Sequence, residues 1–300
     1  MQIGIDLGAT KIEYVLLDNN DKEIIRNRMP TPNNYDDTLL SIISIVKDLE
    51  RKNNDKLNLG ICHPGATDKT TGLIKNAHNS QWLNNKNIVK DLKKKIDNNI
   101  YSENDANCFC LSEAYDGSAS HYETVFGVIL GSGCGGGFVI NKKIISGTNS
   151  LGGEWSLNQM PESSNVNLKS DKKLDFSNRI EGYLSGKSIE KNYEKKFKVK
   201  LSAKEIFYNY RNKDINACDF INNYKDKLAR SLVIIITTVD PDAIVFGGGL
   251  SNEIDFLEEL KSIISNLINE PNLKTVFLKP LYGDASGVRG AALLGKNNSI

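Results

Sequence analysis

Two segments of this chain repeat one pattern, and no other feature limits its fold as strongly. "QIGIDLGATKIEYVLLD", from Gln2 to Asp18, is a β-rich run, a glycine-bearing turn and a second β-rich run. "TVFGVILGSGCGGGFVINKKII", from Thr124 to Ile145, has the same layout. Apolar runs broken by a short glycine turn predict β-hairpins. After each hairpin come alternating strand and helix signals. "LNLGICHPGATD" reads as a buried strand ending in a Pro-Gly turn, "NIYSEND" as a short strand and "ANCFCLSEAYDG" as a helix closed by Gly117. In the second half, "YKDKLARSLVIIITTVD" reads as a long apolar helix, and "PDAIVFGGGLSN" as a strand entering a triple glycine and a new helix. "GDASGVRGAALLGK" reads as a glycine-flanked helix. An α/β chain duplicated at this long period predicts two lobes with a cleft between them. The expected bounds are 1–116 plus 285–300 for a small N-terminal lobe and 117–284 for a larger C-terminal lobe.

Three hundred residues supply ample core for two such lobes. The formal net charge of +1 argues against a nucleic-acid or anionic-membrane binder. No apolar run approaches eighteen residues, and "MQIGIDLG" reads as a strand without a basic leader or cleavage site, so a soluble cytoplasmic protein is expected. Five scattered cysteines read as reduced thiols. Cys108 and Cys110 stand two apart on a predicted helix and point in different directions, which argues for small buried hydrophobes over a shared metal.

The chemistry gathers at the glycines. Asp6-Leu7-Gly8-Ala9-Thr10-Lys11 offers backbone N–H groups, a hydroxyl, an ammonium and a carboxylate within six residues. Glycine lets the main chain approach an anion closely, and Asp6 at a strand end can hold Mg²⁺ through water. A plain hairpin turn explains this segment equally well. The stretch from Gly131 to Gly137 holds five glycines between apolar strands, where glycine weakens a sheet, so a phosphate cradle is the natural compensation. It lacks the Lys-Ser/Thr of a Walker A loop, and a strand follows where a dinucleotide fingerprint has a helix. Gly247-Gly248-Gly249 forms a third cluster, able to place a nucleotide against a helix start. Asp105 follows Asn104 at a strand-to-helix junction. It reads as an N-cap or as a general base, and both hold if Asn104 serves the cap.

At these residues the sequence resembles the ROK (repressor/ORF/kinase) family of sugar kinases across essentially the whole chain. "DLGATK" resembles its first phosphate loop, "ENDANC" its catalytic segment, "GSGCGGG" its second phosphate loop and "VDPDAIVFGGGLSN" its adenosine segment. "PGATD" and "GLIKNAHNSQWLN" are similar to its sugar-side loops. The resemblance implies a two-lobed actin-like ATPase (ribonuclease H-like) fold and transfer of the ATP γ-phosphate, with Mg²⁺, to a hexose 6-hydroxyl. It implies Asp105 as base, with Gly65, His78, Asn104, Asp105, Glu154 and Glu181 lining the sugar. It assigns Asp6, Gly8, Thr10, Lys11, Gly131, Ser132, Gly133 and Gly135 to the phosphates, and Gly247, Gly248 and Gly249 to the adenosine. It also implies a homodimer.

The family's "GEWGHN" precedes a Cys-rich loop whose three cysteines, with that His, hold a structural zinc. Here the segment reads "GEWSLN": Leu157 stands at the His position, and Ser156 to Asn178 contains neither Cys nor His. All four ligands are missing together, which predicts a zinc-free loop. "MPTPNNYDDTL", "KNAHNSQWLN" and "GEW" resemble the fructokinase/mannokinase branch most, making fructose or mannose the expected substrate. "NCFCLSEAYD" and "IEGYLSG" look equally like the N-acetylglucosamine kinases, the alternative reading. Glucose, a catalytically inactive sugar-sensing protein, and a repressor rank below these. The repressors carry an N-terminal helix-turn-helix domain, whereas this sequence opens at the phosphate hairpin.

Overall fold

A computed structural model describes residues 1–161 and 178–296. The chain forms two compact units, one of Met1–Glu123, Gly137–Gly153 and Leu281–Ile300, the other of Thr124–Gly136 and Glu154–Pro280. In chain order the first contains β1 (Gln2–Leu7), β2 (Lys11–Leu17), β3 (Glu23–Pro30), α1 (Tyr35–Asn53), β4 (Asn58–His63), the short β5 (Ala66–Thr67) and β6 (Ile74–Lys75), α2 (Ile88–Lys93), β7 (Ile100–Asn104) and α3 (Asp105–Tyr115). Then come β8 (Thr124–Leu130), β9 (Cys134–Ile140) and β10 (Lys143–Ile144). The second unit continues with α4 (Glu181–Leu184), α5 (Gly186–Phe197), α6 (Ala203–Arg211), α7 (Ile215–Val239), β11 (Ala243–Gly247), α8 (Leu257–Ile268) and β12 (Val276–Leu278). The closing helix α9 (Ser286–Leu293) belongs to the first unit.

The duplication expected from the sequence is present in the sheets. One has the order β3-β2-β1-β4-β7 and the other β10-β9-β8-β11-β12. In each, the later two strands are parallel to the hairpin's first strand, as β4 is to β1 and β11 is to β8. β1 and β2 form the expected hairpin, and their pairing sets Asp6 opposite Glu13. Helix α1 begins where Asn34 accepts the Asp37 N–H, and ends at Asn54 in the left-handed conformation. Cys108 and Cys110 are both fully buried, as expected of small hydrophobes.

Helix α9 lies very close to the first sheet because glycines receive it. A Cβ on Gly60 would sit 1.7 Å from the Ala291 carbonyl oxygen, and one on Gly4 would sit 2.1 Å from that of Val288. At its start, the fully buried Glu113 of α3 accepts from the N–H groups of Leu281 and Tyr282 and from the Ser286 hydroxyl, at 2.9, 3.2 and 2.7 Å. A buried carboxylate needs such donors, since desolvation is otherwise costly. Segment 137–153 goes with the first unit, whereas the sequence reading kept 117–284 together. Gly137 lies against α3, where a Cβ would approach the Ala106 carbonyl oxygen to 2.5 Å. The helix expected directly after the triple glycine is a 3-10 turn, Gly249–Glu253; α8 starts only at Leu257, after extended Ile254.

Candidate active site

In the first unit, the turn after β1 is closed by the Gly8 N–H donating to the Lys11 carbonyl at 3.0 Å. Thr31, beyond β3, pins it: its N–H donates to Thr10 O at 3.1 Å and its hydroxyl to Gly8 O at 2.8 Å. Burial pushes the Asp6 carboxyl above its usual range, with the Cys62 thiol and, further down, Lys11 and Arg28 opposing. A cation placed beside Asp6 would oppose this shift and favour the ionised carboxylate.

Asn104 ends β7 and caps α3, its side-chain oxygen accepting from the N–H groups of Ala106 (2.9 Å) and Asn107 (3.3 Å). Its amide donates to the Gly65 carbonyl at 2.9 Å. Asp105 is thereby the first helical residue and its side chain is exposed. Gly65 has φ +82 and no room for a side chain, since a Cβ would meet Lys75 O at 2.4 Å and Ala77 N at 2.8 Å. Gly65, Asn104 and Asp105 thus form one corner, bordered by the segment leading to the exposed His78.

In the second unit, the Gly131 N–H donates to Gly133 O at 2.9 Å, and the Gly186 N–H donates to Gly131 O at 2.7 Å. The Trp155 indole donates to Gly135 O at 2.7 Å. A Cβ on Gly133 would stand 3.0 Å from Glu181 Oε1. Burial, then the Glu181 charge, raises the Glu154 carboxyl pKa. Burial and the same two carboxylates raise that of the Cys134 thiol, which keeps it protonated. Glu154 and Glu181 therefore share one neighbourhood with the second glycine turn. Leu157 is 37% exposed, while Ser156 beside it is buried.

A cavity of about 500 Å³ joins two glycine clusters within this unit. Gly131 and Ser132 line it with Gly249 and Leu250, alongside Lys187 and Glu190 of α5, Lys204 of α6, and Glu253. Gly248, at φ +83, packs where a Cβ would lie 2.4 Å from Leu130 O. Gly247 ends β11 beneath it.

Sequence reasoning missed the α5 and α6 residues of this cavity, as well as His63 and Glu103. His63 is fully buried and its pKa is lowered to about 4, chiefly by burial. Its Nδ1 faces the Pro64 carbonyl at 3.1 Å and therefore donates, leaving Nε2 to accept from the Thr67 hydroxyl at 3.0 Å. A neutral imidazole thus ties down the Pro64–Gly65 turn. Glu103 accepts from the Asn104 N–H and the Asn107 amide, and burial raises its pKa. Only the "CHPG" run, a histidine next to a Pro-Gly turn, signalled His63.

Most of the tract expected to be zinc-free, 162–177, lies outside the described residues. Among the described residues, no group of three or more His, Cys, Asp or Glu side chains is placed to hold a metal ion, and no helix is long and apolar enough to cross a membrane.

The duplicated glycine hairpins, each extended by two parallel strands, have the fold of the solved ROK sugar kinases. The chain belongs to the ROK family, whose model matches residues 2–298. It is 36% identical over 309 residues to the N-acetyl-D-glucosamine kinase of Haemophilus influenzae, covering 98% of this chain and 99% of that one. It is 37% identical over 303 residues to the enzyme of that name from Mannheimia succiniciproducens, again covering 98% and 99%. Among solved structures, the ROK hexokinase from Thermus thermophilus superposes with a TM-score of 0.83 at 22% identity, over 97% of this chain and 96% of that one. A ROK glucokinase from Streptomyces griseus, in complex with glucose and AMPPNP, has a TM-score of 0.75 at 21% identity, over 98% of both chains.

Proposed function

We propose that the protein transfers the γ-phosphoryl group of ATP to the 6-hydroxyl of N-acetyl-D-glucosamine. The observation that carries this reading is the likeness to N-acetyl-D-glucosamine kinases along the whole chain. It outweighs the short segments that put fructose or mannose first. Those sugars stay as the second reading, because "KNAHNSQWLN" and "MPTPNNYDDTL" favour them.

Asp105 orients the acceptor hydroxyl and takes its proton late in a loose phosphoryl-transfer transition state. Asn104 fixes the helix start that presents it and holds the Gly65 turn. His78 and Gly65, and separately the Glu154–Glu181 pair, offer partners to sugar hydroxyls, which need acceptors as well as donors. Gly8, Thr10 and Lys11, and the turn of Gly131, Ser132, Gly133 and Gly135, line the phosphate path. The Gly8 and Gly131 N–H groups close the two turns, and the Lys11 ammonium and the Thr10 and Ser132 hydroxyls are offered to the phosphates. The cavity walled by Gly249 and flanked by Gly247 and Gly248 receives the adenosine. Mg²⁺ arrives with ATP, and Asp6 is the carboxylate that would hold it. A bound Mg²⁺ would supply positive charge against the phosphate oxygens.

A coupled ADP-release assay across N-acetylglucosamine, N-acetylmannosamine, fructose, mannose and glucose tests the substrate. Expected is a kcat/KM for N-acetylglucosamine at least about tenfold above the others, the range that differential contacts to one polar substituent supply. A preference for fructose or mannose would install the second reading.

Gly133→Val is expected to raise the ATP KM at least about tenfold, because side-chain volume enters the anion's approach. Its Cβ would also press on Glu181, so the sugar KM should rise with it. Unchanged ATP affinity by calorimetry would place the cradle elsewhere.

A further inference from the structure

We propose that Arg28 is a second phosphate-binding cation beside Lys11, and that Glu13 is the positioning residue for both. This rests on the reading of the first glycine turn as a phosphate site. Asp6, Glu13 and Arg28 are direct cross-strand partners on β1, β2 and β3. Opposed residues of antiparallel strands project from the same face, so the three form a rung across the sheet. Lys11, two residues before Glu13, and Arg26, two before Arg28, share that face.

Glu13 is 1% exposed and is met by three cations. Arg28 grips it with two groups, Nε at 2.7 Å and Nη2 at 3.3 Å. Arg26 donates through Nε, and Lys11 Nζ lies 3.8 Å away. One buried carboxylate is neutralised by one cation. Three cations meet this one carboxylate directly, more than Glu13 alone neutralises, while Asp6 and Asp284 act on Arg28 from further away. The excess lies where solvent reaches, since the side chains of Arg28 and Lys11 are 45% and 52% exposed.

The end of β3 is also tied to the glycine turn. Thr31, three residues after Arg28, makes both bonds that pin Gly8 and Thr10. The Arg28 guanidinium accordingly feels the charge of Asp6, at the turn's own strand end, and of Asp284. A planar, forked cation held by a carboxylate on one edge keeps other N–H groups free to meet phosphate oxygens. Glu13 removes the rotamer freedom of two long side chains before the nucleotide arrives, which is the usual gain from preorganisation.

The test is calorimetric titration of ATP and AMP into wild type, Arg28→Ala, Arg28→Lys and Glu13→Gln, with melting midpoints and sugar KM alongside. AMP has no β- or γ-phosphate and serves as the internal reference. Expected for Arg28→Ala is a loss of ATP affinity of about tenfold or more, the scale of a charge-assisted hydrogen bond, with AMP affinity and sugar KM within about twofold. Arg28→Lys should recover part of the loss, and Glu13→Gln should weaken ATP and spare AMP. An unchanged ATP-to-AMP affinity ratio with a lowered midpoint would show that the arginine is only a sheet clamp and would overturn the proposal. Should Arg28→Ala not fold, Arg28→Gln carries the same comparison. Failure of wild type to bind ATP at all would instead sink the phosphate-site reading beneath it.

Discussion

Asp105→Asn should cut kcat roughly 10²-fold or more while ATP affinity moves less than about threefold. The structure makes this substitution clean. Asn104, not Asp105, supplies the cap of α3, accepting from the Ala106 and Asn107 N–H groups. Asp105 Oδ1 also accepts from the Ala106 N–H, at 2.8 Å, and an asparagine oxygen can keep that bond. What asparagine loses is the negative charge and the capacity to take a proton. Losing a charge at a helix start costs about 0.3–1 kcal/mol of stability, too little to confuse a kinetic result. Steady-state kinetics beside a thermal melt checks both parts. Near-wild-type turnover would remove Asp105 from the chemistry.

The second large effect is structural. Gly290→Ala should destabilise the protein by about 3 kcal/mol or more and lower its melting midpoint by roughly 6–12 °C. Gly290 sits in α9 where it crosses α3, and a Cβ there would lie 1.8 Å from the Cys108 carbonyl oxygen and 2.4 Å from its carbon. Ordinary carbon contacts are about 3.5–4.0 Å. The obstacle is backbone, so no rotamer change relieves it, and two helices must part. Gly249→Ala is the control: its Cβ would meet nothing within 4 Å, so a shift below about 2 °C is expected. Equal melting of Gly290→Ala and wild type would refute the close crossing.

Features carried by local pattern were legible before the structure. Alternating apolar residues around glycine turns specified both hairpins, and hence the repeated strand order. Asn104 next to Asp105 specified a capped helix with a carboxylate left over. Features made by distant approach were not legible. Lys187, Glu190 and Lys204 line the glycine cavity because the Gly186 N–H reaches back to Gly131 O, and nothing local in "GKSIEKN" marks that bond. His63 is separated from any polar cluster in sequence, and its two bonds arise only when β4 turns into β5. The helix expected after Gly249 failed because a glycine-rich strand exit signals a turn without saying whether it is 3-10 or α. The sugar was the least legible element: some short segments resembled the fructokinase/mannokinase branch and others the N-acetylglucosamine kinases, while the relatives similar along the whole chain are N-acetyl-D-glucosamine kinases.

The glycine-lined seat of α9 has a consequence for how the chain is made. Gly4 on β1 and Gly60 on β4 face a helix encoded more than two hundred residues later. During synthesis those strands leave the ribosome early, with the seat of α9 still empty. At about 5–20 residues per second, the wait from the end of α3 to the end of α9 is roughly ten to thirty seconds. For that time the face that α9 will cover stays open, and Glu113 lacks three of the donors that later satisfy it. Completion of the oldest part of the molecule therefore awaits its youngest.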